Sequence, residues 1–263
     1  MKPLSHGCQL IFYDHRGRGR SDTDPDASRT WTDYEVRDLE SIHQHLEITQ
    51  IAILGWSYMG WICALYAAQH PDRVQRLILM CPVAPRSTAL YNDPDARASK
   101  AASRLDAAKV EQLKARQAAG EDIENPIAYC RENIQVFYPS KMSNPEALVR
   151  MRSDPCMFPN EWEHNLSVHW QTHFPPDSLE HDWRTEVSSV NAQTLVIQGQ
   201  EDLIPVEAAR EWAISIPHAR LLCIPGVGHF PHLEAPDVFF SAVNNFLAGE
   251  WPDEAEIVQT LSV

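Results

Sequence analysis

The run Ile51-Ala52-Ile53-Leu54-Gly55-Trp56-Ser57-Tyr58-Met59-Gly60 passes from four apolar residues into a serine held between glycines. Ile51 to Leu54 reads as a short buried strand, and about Met59 to Gln69 as a helix that stops before Pro71. A serine between a strand and a helix stands where the chain must turn sharply. It has to adopt strained backbone angles, and small neighbours let the turn close. Its hydroxyl then projects beyond the sheet, and the N-terminus of the following helix favours negative charge developing beside it. Ser57 is thus a candidate nucleophile. Taken alone, the pattern serves equally as an ordinary helix start.

Working outward, short apolar runs alternate with helical patterns at both ends of the chain. Gln9 to Tyr13 reads as a strand, closed by the turn residues Asp14-His15-Arg16-Gly17-Arg18-Gly19. Thr32-Asp33-Tyr34-Glu35 has the form of a capping box, with Glu35 reaching back, and Val36, Leu39, Ile42 and Leu46 then share one helical face. Strands are expected at Val74 to Met80, Thr194 to Ile197 and Leu221 to Ile224, and helices at Val206 to Ser215 and Asp237 to Leu247. Repeated strand–turn–helix units predict an α/β fold, with a mostly parallel central sheet flanked by helices.

The pattern changes in the middle. Ala98 to Ala119 reads as one long helical stretch, followed by a segment rich in proline and aromatic residues. Residues 84–185 are therefore expected to form an inserted helical lid over a core made of 1–83 and 186–263. Trp56, Trp162 and Trp170 are candidate substrate-binding residues on an apolar wall, although core packing explains such rings as well. The tail from Glu250 is expected to dock loosely.

Composition narrows the partners. The net charge of −14 argues against nucleic acid, which needs a concentrated basic face. Arg16, Arg18 and Arg20 form one short basic cluster, followed by Asp22, Asp24 and Asp26, and read as a solvated loop. No window has the roughly 18 uninterrupted apolar residues of a membrane helix, and Met1 to Gln9 lacks a signal-peptide apolar region, so a cytoplasmic protein is expected. The six cysteines show no metal-ligand spacing, and no disulfide framework is expected among them. Oligomeric state is not legible.

Two further residues complete a constellation. Asp202 follows the strand Thr194 to Ile197 within Gly199-Gln200-Glu201-Asp202, where it is either a helix cap or a catalytic acid, with Glu201 the weaker candidate. His229 lies in Pro225-Gly226-Val227-Gly228-His229-Phe230-Pro231-His232, either structural or catalytic, and His232 reads as packing. The strand leading into Ser57, the strand leading into Asp202, and the Gly228-His229 loop together resemble the α/β-hydrolase family, including the order Ser, Asp, His. Asp14-His-Arg-Gly-Arg-Gly-Arg-Ser21 is similar to a loop of that family, and of its proline iminopeptidase and esterase-like members in particular.

The resemblance covers about 1–83 and 186–263 and implies a serine hydrolase with no metal or organic cofactor. Its substrate would be a small ester, amide or short peptide-like molecule. His229 would take the Ser57 proton, Asp202 would orient the imidazole, an acyl-enzyme would form, and the backbone N–H of Tyr58 would be one oxyanion donor. Two features depart from the family. Met59 stands where a small residue is usual. Strands and a His-Gly loop that supply the second oxyanion donor are expected before Gln9, and the chain reads as N-terminally shortened, with Ser5-His6-Gly7-Cys8 taken as a turn. Unless Gln9 to Tyr13 slides over to pair with Ile51 to Leu54, a strand position beside them stays unfilled. Two alternatives stay open: a proline iminopeptidase-like aminopeptidase, with Glu161 or Glu163 holding an amine, and a non-catalytic binding protein on the same scaffold.

Overall fold

The computed structural model describes residues 1–16, 19–22, 32–87, 102–158 and 181–259. Four strands form one sheet in chain order: β1 (Ile51–Trp56), β2 (Val74–Met80), β3 (Gln193–Gly199) and β4 (Ala219–Ile224). Every neighbouring pair is parallel. Parallel neighbours require crossovers, and helices supply them. After α1 (Thr32–His45), α2 (Tyr58–Gln69) joins β1 to β2. Between β2 and β3 lie α3 (Ala107–Ala118), α4 (Glu121–Glu124), α5 (Pro126–Phe137), two 3-10 turns and α6 (Arg184–Val187). Beyond them α7 (Val206–Ser215) joins β3 to β4, and α8 (Pro231–Glu234) and α9 (Pro236–Ala248) follow.

The two-residue period of the strands separates two cores. Leu77, Leu79, Val196 and Leu221 pack with α2 and with Trp212 of α7. Ile78, Met80, Leu195, Ile197 and Leu222 pack on the other side with Phe239, Val243 and Phe246 of α9. Leu195, Val196 and Ile197 are wholly buried, and each such side chain contributes about 1.5–3 kcal/mol by leaving water. Buried on both faces, β3 is continuously apolar over these residues, as a central parallel strand should be.

Several local expectations are corrected. Gln9 to Tyr13 belongs to no strand among the described residues, so it does not slide over to pair with β1. An apolar run becomes a strand only when an edge accepts its hydrogen bonds, and Ile11 and Phe12 are exposed at 44% and 67%. In α1, Val36 and Leu39 are buried as expected, but Leu46 is exposed and His43 takes the inward place. The Tyr66 hydroxyl and the Ile48 carbonyl partner the His43 ring, which makes its burial affordable. The long helix expected from Ala98 is interrupted: residues 102–103 are helical, 104–106 are not, and α3 starts at Ala107, where Asp106 caps it by accepting from the N–H groups of Ala108 and Lys109; residues 98–101 of that stretch lie outside the described residues.

The cysteine expectation fails too: Cys130 of α5 is disulfide-bonded to Cys156. Sequence separation hides such a pair, since only folding brings the two side chains together. Nor does the whole tail dock loosely. Leu221 and Glu256 exchange backbone hydrogen bonds, and Arg220 lies over the Trp251 ring. Among the described residues no helix is long and apolar enough to cross a membrane.

Candidate active site

Ser57 occupies the turn between β1 and α2 with φ 54° and ψ −122°. A non-glycine residue there is strained, and several contacts hold it in place. Its N–H donates to the Met80 carbonyl, and its own carbonyl accepts from Gly60 and Val83. Gly55 is required on contact grounds, since a Cβ there would lie 2.2 Å from the Met59 carbonyl oxygen. Met59 fits by packing against the core on the α2 side of the sheet. Tyr58 opens α2, where helical N–H groups point out of the helix, and its hydroxyl donates to the buried carboxylate of Glu35. That carboxylate also faces His15 at 3.5 Å, so Glu35 reaches across to the serine turn.

Asp202 and His229 meet directly. His229 Nδ1 lies 2.8 Å from Asp202 Oδ2, and both side chains are nearly inaccessible to solvent. The same carboxylate accepts from the Gln198 side-chain amide at 3.1 Å and from the Ile204 N–H at 3.1 Å. A carboxylate oxygen accepting at Nδ1 places the imidazole proton there and leaves Nε2 as the basic atom. Asp202 caps no helix here, for the N-cap of α7 is Pro205.

Ser57 and this pair lie at the same end of the sheet, joined through Trp56. The Trp56 indole N–H donates to the His229 carbonyl at 3.0 Å, and its ring centroid is 5.2 Å from the imidazole. Among the described residues no hydrogen bond joins the Ser57 hydroxyl to His229. Trp56, a candidate for substrate contact, also braces the histidine loop. Trp162, Trp170, Glu161 and Glu163 lie outside the described residues, as does Arg18. Arg16 and Arg20 are paired with Asp38 and Asp14. His232 packs near Trp56 and Phe239; burial, with the Met1 ammonium nearby, pushes its pKa down to about 4, so it stays neutral.

Sequence reading missed the residues that hold the histidine loop. Glu234 accepts the N–H groups of Gly228 and Phe230 on one oxygen, and those of Ser143 and Asn144 on the other. The His229 N–H itself donates to the Lys141 carbonyl at 2.9 Å. The chains pass so closely that a Cβ on Gly199 would lie 2.1 Å from the Gly228 oxygen, and one on Gly228 would lie 2.5 Å from the Lys141 oxygen. Cys81 lies beside the Asp202–His229 pair. It ends β2 at φ 46°, fully buried, and its sulfur lies with one ligand atom each of Asp202 and His229 within 4.8 Å of one another. Burial and the Asp202 charge push its thiol pKa well up.

A sequence profile of the alpha/beta hydrolase fold matches residues 1–236. Proline iminopeptidase from Lactobacillus helveticus is 23% identical over 255 residues, covering 94% of this chain and 81% of that protein. 2-Hydroxymuconate semialdehyde hydrolase from Pseudomonas putida is 26% identical over 257 residues, covering 91% and 77%. The esterase structure from Exiguobacterium antarcticum superposes with a TM-score of 0.58 at 21% identity, covering 90% of this chain and 80% of that one. With a parallel sheet, a serine in the strand-to-helix turn and a profile match over most of its length, this chain belongs to the α/β-hydrolase fold family and is a hydrolase.

Proposed function

We propose that this hydrolase cleaves a small ester, amide or peptide-like substrate through a Ser57–His229–Asp202 triad and an acyl-enzyme. The observation that carries the reading is the strained Ser57 turn at the same sheet end as the buried His229–Asp202 pair. His229 Nε2 takes the hydroxyl proton as Ser57 attacks, then protonates the leaving group and later activates water. Serine–histidine bonds in substrate-free sites are often long and tighten when substrate binds. The Tyr58 N–H is the proposed oxyanion donor, with the Tyr58–Glu35 contact steadying its residue. Residues 84–185 are proposed as the lid, with Trp162 and Trp170 on its substrate wall. A cytoplasmic site of action belongs to the same proposal, and there the Cys130–Cys156 bond would form only under oxidising conditions.

A serine-directed fluorophosphonate tests the nucleophile. Wild type should be labelled and Ser57→Ala should not; labelling of neither, with both folded, favours the non-catalytic binding scaffold. The proline iminopeptidase reading is favoured by the relative from Lactobacillus helveticus. Turnover of a proline arylamide beside short aryl esters decides it, and ester turnover without amide turnover removes it.

A further inference from the structure

We propose that Cys81, Asp202 and His229 form a binding site for a thiophilic divalent cation such as Zn2+, and that its occupation switches the hydrolase off. The three residues come from the connections that follow three adjacent strands, β2, β3 and β4, and each places one ligand atom within 4.8 Å of the other two. Cys81 reaches this position through a left-handed backbone, which is uncommon for a residue with a side chain. The Cys81 N–H donates to the Ile197 carbonyl at 2.8 Å, anchoring the turn to β3, and the sulfur lies 3.9 Å from the Gly228 carbonyl oxygen.

The donor set is that of zinc: a thiolate, an imidazole nitrogen and a carboxylate. Zinc bonds of about 2.0 to 2.3 Å in a tetrahedron set ligand atoms about 3.3 to 3.6 Å apart. The His229–Asp202 separation of 2.8 Å must open by about half an ångström to admit the ion. The sulfur must close by at most about 1.3 Å. A thiolate and a carboxylate cancel the charge of the ion, so the buried site becomes neutral overall. The balance is one proton released per ion, from the Cys81 thiol as it becomes a thiolate ligand.

The consequence for the reaction rests on the proposed triad. A metal on Nδ1 takes that nitrogen's lone pair and leaves the imidazole proton on Nε2. The atom that should receive the Ser57 proton then already carries one. Binding of the ion needs only the three ligands and is independent of that reading.

The test uses the metal-stripped full chain with Cys8, the exposed free thiol, replaced in Cys8→Ser. Titration with Co2+ should saturate at one ion per chain with a thiolate-to-cobalt charge-transfer band, and Zn2+ should displace it. Aryl ester hydrolysis should fall in step with occupancy and return with EDTA. Cys81→Ala and Cys81→Ser should lose the band, and their zinc sensitivity, each against its own metal-free rate, should weaken by at least about 10–100-fold. Ser57→Ala should keep the band although inactive, which separates the metal site from the triad. His229→Gln, read by the band alone, serves if the Cys81 variants do not fold. A band that survives loss of Cys81 or His229, or that never forms in wild type, overturns the site. Full occupancy with undiminished hydrolysis, in an enzyme whose hydrolysis a fluorophosphonate abolishes, overturns the switch.

Discussion

Replacing Glu234 by alanine removes one carboxylate that ties two stretches of chain. Its Oε1 accepts from Gly228 and Phe230 at 3.0 and 3.2 Å, and its Oε2 from Ser143 and Asn144 at 2.7 and 3.0 Å. A hydrogen bond to a charged group contributes about 1.5–3 kcal/mol net when sheltered. The Ser143 and Asn144 pair is open to solvent, where water replaces the lost acceptor, so it adds little. The half-buried pair on the histidine loop carries most of the loss, and Glu234→Ala should cost about 2–4 kcal/mol. Glu234→Gln keeps one carbonyl oxygen, which can turn to Gly228 and Phe230 while the amide meets the exposed pair; its cost should be about 1 kcal/mol. His229 lies between the two tethered N–H groups, and a displacement near 1 Å costs about a hundredfold in rate. Urea unfolding gives the first quantity, and kcat on an aryl ester gives the second. Wild-type stability and kcat in Glu234→Ala would refute the tether. Glutamine as damaging as alanine would show that charge, rather than the number of acceptors, holds the loop.

Gly199→Ala should destabilise by about 1–3 kcal/mol or more, because the new Cβ would meet the Gly228 carbonyl oxygen at 2.1 Å and the backbone must move; thermal unfolding checks it, and an unchanged midpoint refutes it. His232 is held neutral with its folded pKa near 4, below the ordinary 6.5. The folded state therefore resists protonation, so the stability from this group is complete above pH 6.5 and is lost as pH falls toward 4, by about 3 kcal/mol. Comparing the pH dependence of unfolding in wild type and His232→Leu isolates that loss, and identical slopes refute it. Reducing the Cys130–Cys156 bond, which closes a separation of 26 residues, should weaken the 126–156 segment by about 3 kcal/mol; faster hydrogen exchange confined to that segment is expected, and unchanged exchange refutes it.

Much of the architecture was legible because its causes are local. The runs at 77–80 and 195–197 are apolar enough to be strands buried on both faces, and Pro71 ends α2 wherever the chain is placed. Ser57 was legible because a strand, a glycine and a helix start leave its backbone little choice, and Gly55 proves necessary on contact grounds alone. Gln9 to Tyr13 misled because pairing, unlike hydrophobicity, is not a property of one segment. Glu35 looked like the far half of a capping box, yet its carboxylate serves the serine turn, 23 residues along the chain.

The chain's own order of residues thus determined the alternation of strand and helix, the turn that strains Ser57, and the candidacy of Asp202 and His229, since each follows from neighbours a few positions away. Only the tertiary structure decided that Asp202 meets His229 rather than capping α7, that Glu234 and Lys141 hold the histidine loop, that Cys130 bonds Cys156, and that Cys81 joins the acid and the imidazole. Those contacts join residues separated in sequence, and their partners are chosen by how the parallel strand ends, and the helices between β2 and β3, converge, a geometry that no local pattern encodes.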